Sequence, residues 1–438
     1  MLRIIISILI LFCCSCSQRY SYDKSNLNEA TKIKEIENVL AARQQQALLY
    51  DIDSKYTILL DRFNSQFLLS PRNIVVREYF TNRDVQTSVI DETVFYLIYL
   101  SQLSMVFDND DLEQLIYNIV VDIIEIDKLN GLDGYLPRSV RFDKDLNQLV
   151  IVPDEIHSNS YSIIMLGYYM AYNSSKSMKV RDLISGHVSM IAKYYLDNDL
   201  VLRDDKGNEV RVSNLNKRHL SRELDALVIF EIGKKLTKDP KLQLKFEAIV
   251  DELKAKGYNK KHKILHLTLL NFEIPSHSSN WLNMLRLYIL AKATDEKIYE
   301  NHFVKLYNIL EDEHNPFFDV LYMDLFNQLD EVKMQRISFY LQSFPIELDN
   351  REIISSYDAD VDLALFPRIT KNYIEAESVE ALPIYRRPLK YFEWKENQRR
   401  IDGNWEGKGN ILFSGLDYLL LYSMYKKLNH NSAQDENF

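Results

Sequence analysis

At 438 residues, 46% of them apolar and 26% charged, the chain is long enough for one large core or two ordinary ones. Only 11 glycines and 10 prolines argue against a turn-rich β fold and for long helices. A formal net charge of -10 gives no reason to expect a nucleic-acid partner. All three cysteines, Cys13, Cys14 and Cys16, stand at the start of the chain, which excludes a disulfide framework or thiolate metal site in the remainder.

The N-terminus carries one basic residue, Arg3, then an apolar run through Phe12 that is too short to span a bilayer comfortably. It ends in Cys13-Cys14-Ser15-Cys16, which resembles a bacterial lipobox. The resemblance implies cleavage of residues 1–15 and a diacylglyceryl (palmitate-type) anchor on Cys16. It also implies export, with Ser17 in place of an Asp pointing to the outer membrane; which face the body occupies is left open. Residues 16–28 read as the lipidated cysteine and a polar tether, and 29–438 as one domain.

From Leu27 to Leu69 the apolar residues recur at helical spacing, ending at Pro71. Beyond that the chain alternates. Glu92–Phe107 is apolar on nearly every side; Leu112–Asp127 has one apolar face. Ser158–Tyr172 is again apolar all round and carries Gly167, whose cost to a helix suggests a close backbone approach; Arg181–Tyr195 is one-faced. The same pairing repeats in His219–Leu236 with Lys241–Lys254, in Trp281–Ala293 with Lys297–Leu310, and in Pro316–Leu329 with Val332–Phe344. Ser414–Leu428 is a sixth fully apolar helix with no successor.

A helix apolar all round must be buried on both flanks, and a one-faced helix must form an outer layer. The expected architecture is therefore all-α: an α/α toroid of six hairpins, with the N-terminal helices supplying the missing sixth outer partner. A solenoid of stacked pairs is the rival, disfavoured by the lack of a fixed repeat length. Helical periodicity vanishes over residues 345–413. The aromatic residues there argue for an ordered insert across one mouth of the ring.

The layout resembles six-hairpin toroid proteins, a class found in many glycan-processing enzymes. Two patches carry the likeness to uncharacterised bacterial exported proteins of that class: Asp154 to Tyr169 followed by Leu202 to Asn208, and Tyr391 to Asn397 with Ser414 to Tyr422. Where such relatives often read Ser-Asn-Asp-Gln, this chain has Ser158-Asn159-Ser160-Tyr161. The resemblance implies binding at the mouth that leads into the inner helices.

Candidate carboxylates for glycoside hydrolysis or a lyase reaction are Asp133, Asp154 and Glu155 before one inner helix, and Asp402 and Asp417 before or on the last. Each also suits a turn or a helix cap. Asp225 lies inside an apolar helix and needs a partner; Arg222, three residues away, is the expected one. Tyr391, Trp394 and Trp405 could stack on sugar rings or simply pack the insert. Asp143-Lys-Asp145-Leu-Asn147 has Gln148 where a calcium loop needs Gly, and His262 and His266 lack the zinc motif's Glu, so no metal or cofactor is expected. The functional expectation is an outer-membrane lipoprotein that binds or processes a glycan in a toroid cleft. The alternative is a non-catalytic envelope scaffold that holds a protein partner.

Overall fold

A computed structural model describes residues 29–69, 72–80, 87–143, 146, 148–152, 156–204, 206–217, 219–260, 266–269, 272–348, 361–364, 368–369, 374–375, 377–389, 392–401 and 411–435. The signal segment, Cys16 and the tether fall outside these residues, as do Asp154, Glu155, Tyr391, Asp402 and Trp405.

Two helices, α1 (Glu29–Leu48) and α2 (Ile52–Gln66), precede five hairpins. These are α3 (Ile90–Ser104) with α4 (Asp110–Lys128), α5 (Ser158–Ser174) with α6 (Met178–Asp197), α7 (Leu220–Leu236) with α8 (Pro240–Ala255), α9 (His277–Thr294) with α10 (Lys297–Leu310), and α11 (Pro316–Phe326) with α12 (Glu331–Ser343). A last helix, α13 (Leu416–Asp435), follows. The expected extension of α11 to Leu329 stops early because Asn327 takes a left-handed φ of 48° and ends the helix.

Helices α3, α5, α7, α9, α11 and α13 pack each on the next, and α13 returns to pack on α3. The inner ring is thus closed, and the chain is an all-α six-hairpin toroid. Burial follows the sequence pattern. In α5 every residue from Ser160 to Tyr168 is buried, and in α7 every residue from Glu223 to Gly233. The outer α8 buries only Phe246, Val250 and Leu253, four and three positions apart on one face. Complete burial of each such side chain stabilises by about 1.5–3 kcal/mol, so one outer face already outweighs a helix's weak intrinsic propensity. A Cβ on Gly167 would lie 2.4 Å from Val94 Cγ1, so the glycine lets α5 close on α3.

The sixth outer position belongs to α2, which packs on α13. Tyr418 donates from its hydroxyl to the Ile52 carbonyl at 2.8 Å, Tyr422 to Asp53 Oδ1 at 2.8 Å, and the Tyr56 ring stacks on Tyr422 at 4.0 Å. Lys55 is fully buried, and its Nζ donates to the carbonyls of Ala47 (2.9 Å), Gln342 (2.6 Å) and Phe344 (2.7 Å). One ammonium therefore satisfies carbonyls at the C-terminal ends of both α1 and α12. Arg62 adds a bond from Nη1 to the Ile346 carbonyl at 2.6 Å.

Short antiparallel β pairs, absent from the helical reading, occupy the lead-ins to four inner helices. β1 (Leu68–Leu69) to β4 (Thr87–Val89) precede α3; β5 (Ser139–Asp143) and β6 (Gln148–Val152) precede α5. β7 (Val201–Arg203) and β8 (Glu209–Asn214) precede α7, and β9 (His266–Leu269) and β10 (Phe272–Pro275) precede α9. Asp143 pairs with Gln148 in the β5–β6 ladder; Lys144, Asp145 and Asn147 of the segment weighed as a calcium loop lie outside the described residues. Among the described residues no cluster of three metal-ligating side chains occurs, and no helix is long and apolar enough to cross a membrane.

Candidate ligand-binding cleft

The inner helices all start at one end of the ring, and the insert fills part of that mouth. Phe392 packs on Phe95 with centroids 4.9 Å apart and on Trp281 at 5.3 Å. Trp394 follows in a 3-10 turn, Glu393–Lys395, and is fully buried. Its Nε1 donates to the Asp417 carbonyl at 2.8 Å, and Asn315 Nδ2 donates to the Trp394 carbonyl. The plug thus covers the starts of α3, α9, α11 and α13. It brings together two sequence candidates, Trp394 and Asp417, as buried packing elements. Asp417 is buried beside Arg62, whose guanidinium burial pulls down to about 10 while the nearby Asp417 charge pushes back. Trp394 has no free face for a sugar ring. Asp133 is exposed in the turn between Gly131 and Gly134 and is not among the residues that line the open cleft between α5, α7 and α9.

What the plug leaves open is a cleft of about 370 Å³ among the starts of α5, α7 and α9. Its walls are His157, Ser158 and Asn159 on the first helix, His219, Ser221, Arg222 and Asp225 on the second, and Ser279, Leu282 and Arg286 on the third. Val212 of β8 and Lys217 form the rim. Only Val212 and Leu282 are apolar; the other lining residues all carry hydrogen-bonding groups. The Asn159 Oδ1 is buried and lacks a partner, so a ligand donor there would satisfy it.

Asp225 forms the floor. It is 1% exposed, and each oxygen is engaged: Oδ1 accepts from Arg286 Nε at 2.6 Å and from the Ser162 hydroxyl, and Oδ2 accepts from the Ser158 hydroxyl at 2.7 Å. Ser158 and Ser162 are one turn apart on α5, which aims both hydroxyls at the same carboxylate. Arg286, 2% exposed, also donates from Nη1 to Asn283 Oδ1 at 2.9 Å. The partner of Asp225 is therefore Arg286, 61 residues on, and the expected local pair with Arg222 does not form. An i, i+3 pair on α7 would have left Arg286 alone inside the ring wall, where an unpaired charge is far costlier. The sequence did hold a signal: Arg286 interrupts an otherwise apolar helix, as Asp225 does.

Two features set the cleft's electrostatics. Three cations, Lys217, Arg222 and Arg286, face one carboxylate. The N-caps of α5, α7 and α9, namely His157, His219 and Ser276, make no side-chain capping bond to their helices, whereas Asp51, Asn109, Ser177, Asp239 and Asp330 cap outer helices. Three positive helix ends thus converge on the cleft without side-chain neutralisation.

Hydrolysis by a carboxylate pair needs one acid held neutral and another ionised at a fixed separation. Among the described lining residues there is a single carboxylate, Asp225, and one cation and two hydroxyl donors already engage it.

No family model matches the chain, and no curated protein does. Solved structures with a similar course of helices include a GH76 α-mannanase from Bacteroides thetaiotaomicron, at 8% identity over 90% of this chain and 100% of that one, TM-score 0.43. An endoglucanase from the termite Nasutitermes takasagoensis aligns at 11% identity over 88% and 100%, TM-score 0.47. A sugar epimerase from a ruminal bacterium aligns at 10% over 91% and 98%, TM-score 0.46. At these identities and scores the likenesses assign no residue of this chain a role.

Proposed function

We propose that the protein is an envelope-anchored glycan-binding ring, tethered through a lipid on Cys16 and holding a saccharide in the cleft between α5, α7 and α9. The observation that carries the reading is the cleft's lining: hydroxyl, amide, imidazole and guanidinium groups almost throughout, at a volume near the low end of ligand pockets. Small-molecule pockets are generally dominated by apolar walls. A wall of donors and acceptors instead matches a ligand that presents hydroxyls all round. The engagement of Asp225 favours binding over hydrolysis. A catalytic version depends on Asp154 and Glu155, which precede His157 by two or three residues.

A glycan array probed with the purified full chain in detergent tests the reading, with release of reducing ends measured on every positive glycan. Binding without release is the expected result. Absence of any glycan signal would remove the proposal, and release abolished by Asp154→Asn or Glu155→Gln would replace it with the enzymatic one. Palmitate labelling that disappears in Cys16→Ala is expected for the anchor; persistence of the label would refute lipidation at that position.

A further inference from the structure

The cleft's charge is a separate observation from its hydroxyl-rich lining. The chain as a whole is acidic, with a formal net charge of -10, yet this cavity gathers cations. Arg286 is committed to Asp225. Lys217 lies 3.6 Å from Glu209 at the exposed rim. Arg222 differs from both: it is half-buried on the cleft wall, and among the described residues no acceptor pairs with its guanidinium. A half-buried cation facing an open cavity, beside three helix starts without side-chain caps, is an arrangement that an oxyanion completes.

We infer that the bound saccharide is acidic, its carboxylate or sulfate group received by Arg222 at the start of α7, with Lys217 assisting from the rim. This rests on the glycan reading above and narrows it to a substrate class. Arg222 can offer two parallel N–H donors to a planar or tetrahedral oxyanion, which a lysine cannot, so the site distinguishes the two cations. The sugar hydroxyls then fall to Ser158, Ser221, Ser279 and Asn159.

Titration calorimetry on the full chain in detergent tests this with four probes: a galacturonate trimer, its fully methyl-esterified counterpart, a sulfated galactose disaccharide, and inorganic sulfate. The galacturonate trimer or the sulfated disaccharide is expected to bind at least about tenfold more tightly than the ester, as loss of a charge-assisted hydrogen bond implies. Binding should weaken with added salt. Arg222→Gln is expected to lose at least about tenfold of that affinity and Arg222→Lys to keep part of it, both with unchanged thermal stability because Arg222 holds nothing in the fold. Which acidic probe binds separates carboxylate from sulfate recognition. Equal binding of acid and ester would overturn the charge inference and leave the glycan reading standing. Sulfate binding as tightly as the saccharides would overturn the glycan reading. Heat from none of the four would overturn the inference.

Discussion

Replacing Asp225 by Asn removes the carboxylate that pairs with Arg286 on the cleft floor. Both residues are within 2% of complete burial, so water cannot take over the role of the lost charge. Unit charges about 4 Å apart at an effective dielectric of about 20 attract by about 4 kcal/mol. Stranding one partner of a buried pair typically costs about 3–5 kcal/mol. The isosteric amide keeps the shape and an acceptor for one serine, so cavity formation adds little. With a urea dependence of about 3 kcal/mol per molar, Asp225→Asn should lower the unfolding midpoint by about 1–1.7 M. The double variant Asp225→Asn with Arg286→Met discards both charges and should recover about half or more of that loss, since removing a buried pair together is far milder than splitting it. Far-UV circular dichroism across a urea series, run on all four members of the cycle, reads the result. A single-variant midpoint within about 0.3 M of the parent, at unchanged slope, would refute the reasoning, because an ion pair truly excluded from water cannot lose a partner so cheaply.

Burial pulls the Lys55 ammonium down to about 8 from its ordinary 10.5. A folded-state pKa below the unfolded one means that the unfolded chain holds more protons between these values, so this group makes stability rise with pH from about 8 upward. Lys55→Met should flatten that rise relative to the parent when urea midpoints are compared at pH 7.5 and 9.5, and should lower the midpoint at both because three carbonyls lose their donor; identical slopes in the two proteins would contradict it. Trp394→Ala should destabilise by about 3–5 kcal/mol, as expected for emptying a large buried aromatic site, with saccharide affinity of the folded fraction retained. Loss of affinity at unchanged thermal stability would instead make Trp394 a ligand contact.

The ring was legible because burial on both flanks erases polar periodicity, and Ser158–Tyr172 and Trp281–Ala293 show that erasure plainly. The closing role of α2 followed from an odd count: a sixth inner helix with nothing after it. The β-hairpins were not legible to a search at helical spacing, although Val210 and Val212 in β8 alternate with polar residues as a half-buried strand does. At the site, an acid in an apolar helix correctly required a partner, but sequence proximity suggested Arg222. Only the ring's curvature brings α7 and α9 together and makes Arg286 the neighbour. Trp394 exposes the same limit. An aromatic in an irregular segment reads alike whether it faces a ligand or a core, and the decision lies with Phe344, Tyr340 and Asp417, all distant along the chain from one another or from it.

The seam between α2 and α13 joins positions up to 373 apart, as in the ion pair between Lys426 and Asp53. During synthesis the first wall segment to emerge must wait, half-clothed, for the final one. Closing so long a loop is entropically slow, and until it happens the flanks of α2 and α3 stay open to proteases and to neighbouring chains. A stop codon before Leu416 would therefore do its greatest damage at the opposite terminus, unzipping the chain's beginning by deleting its end.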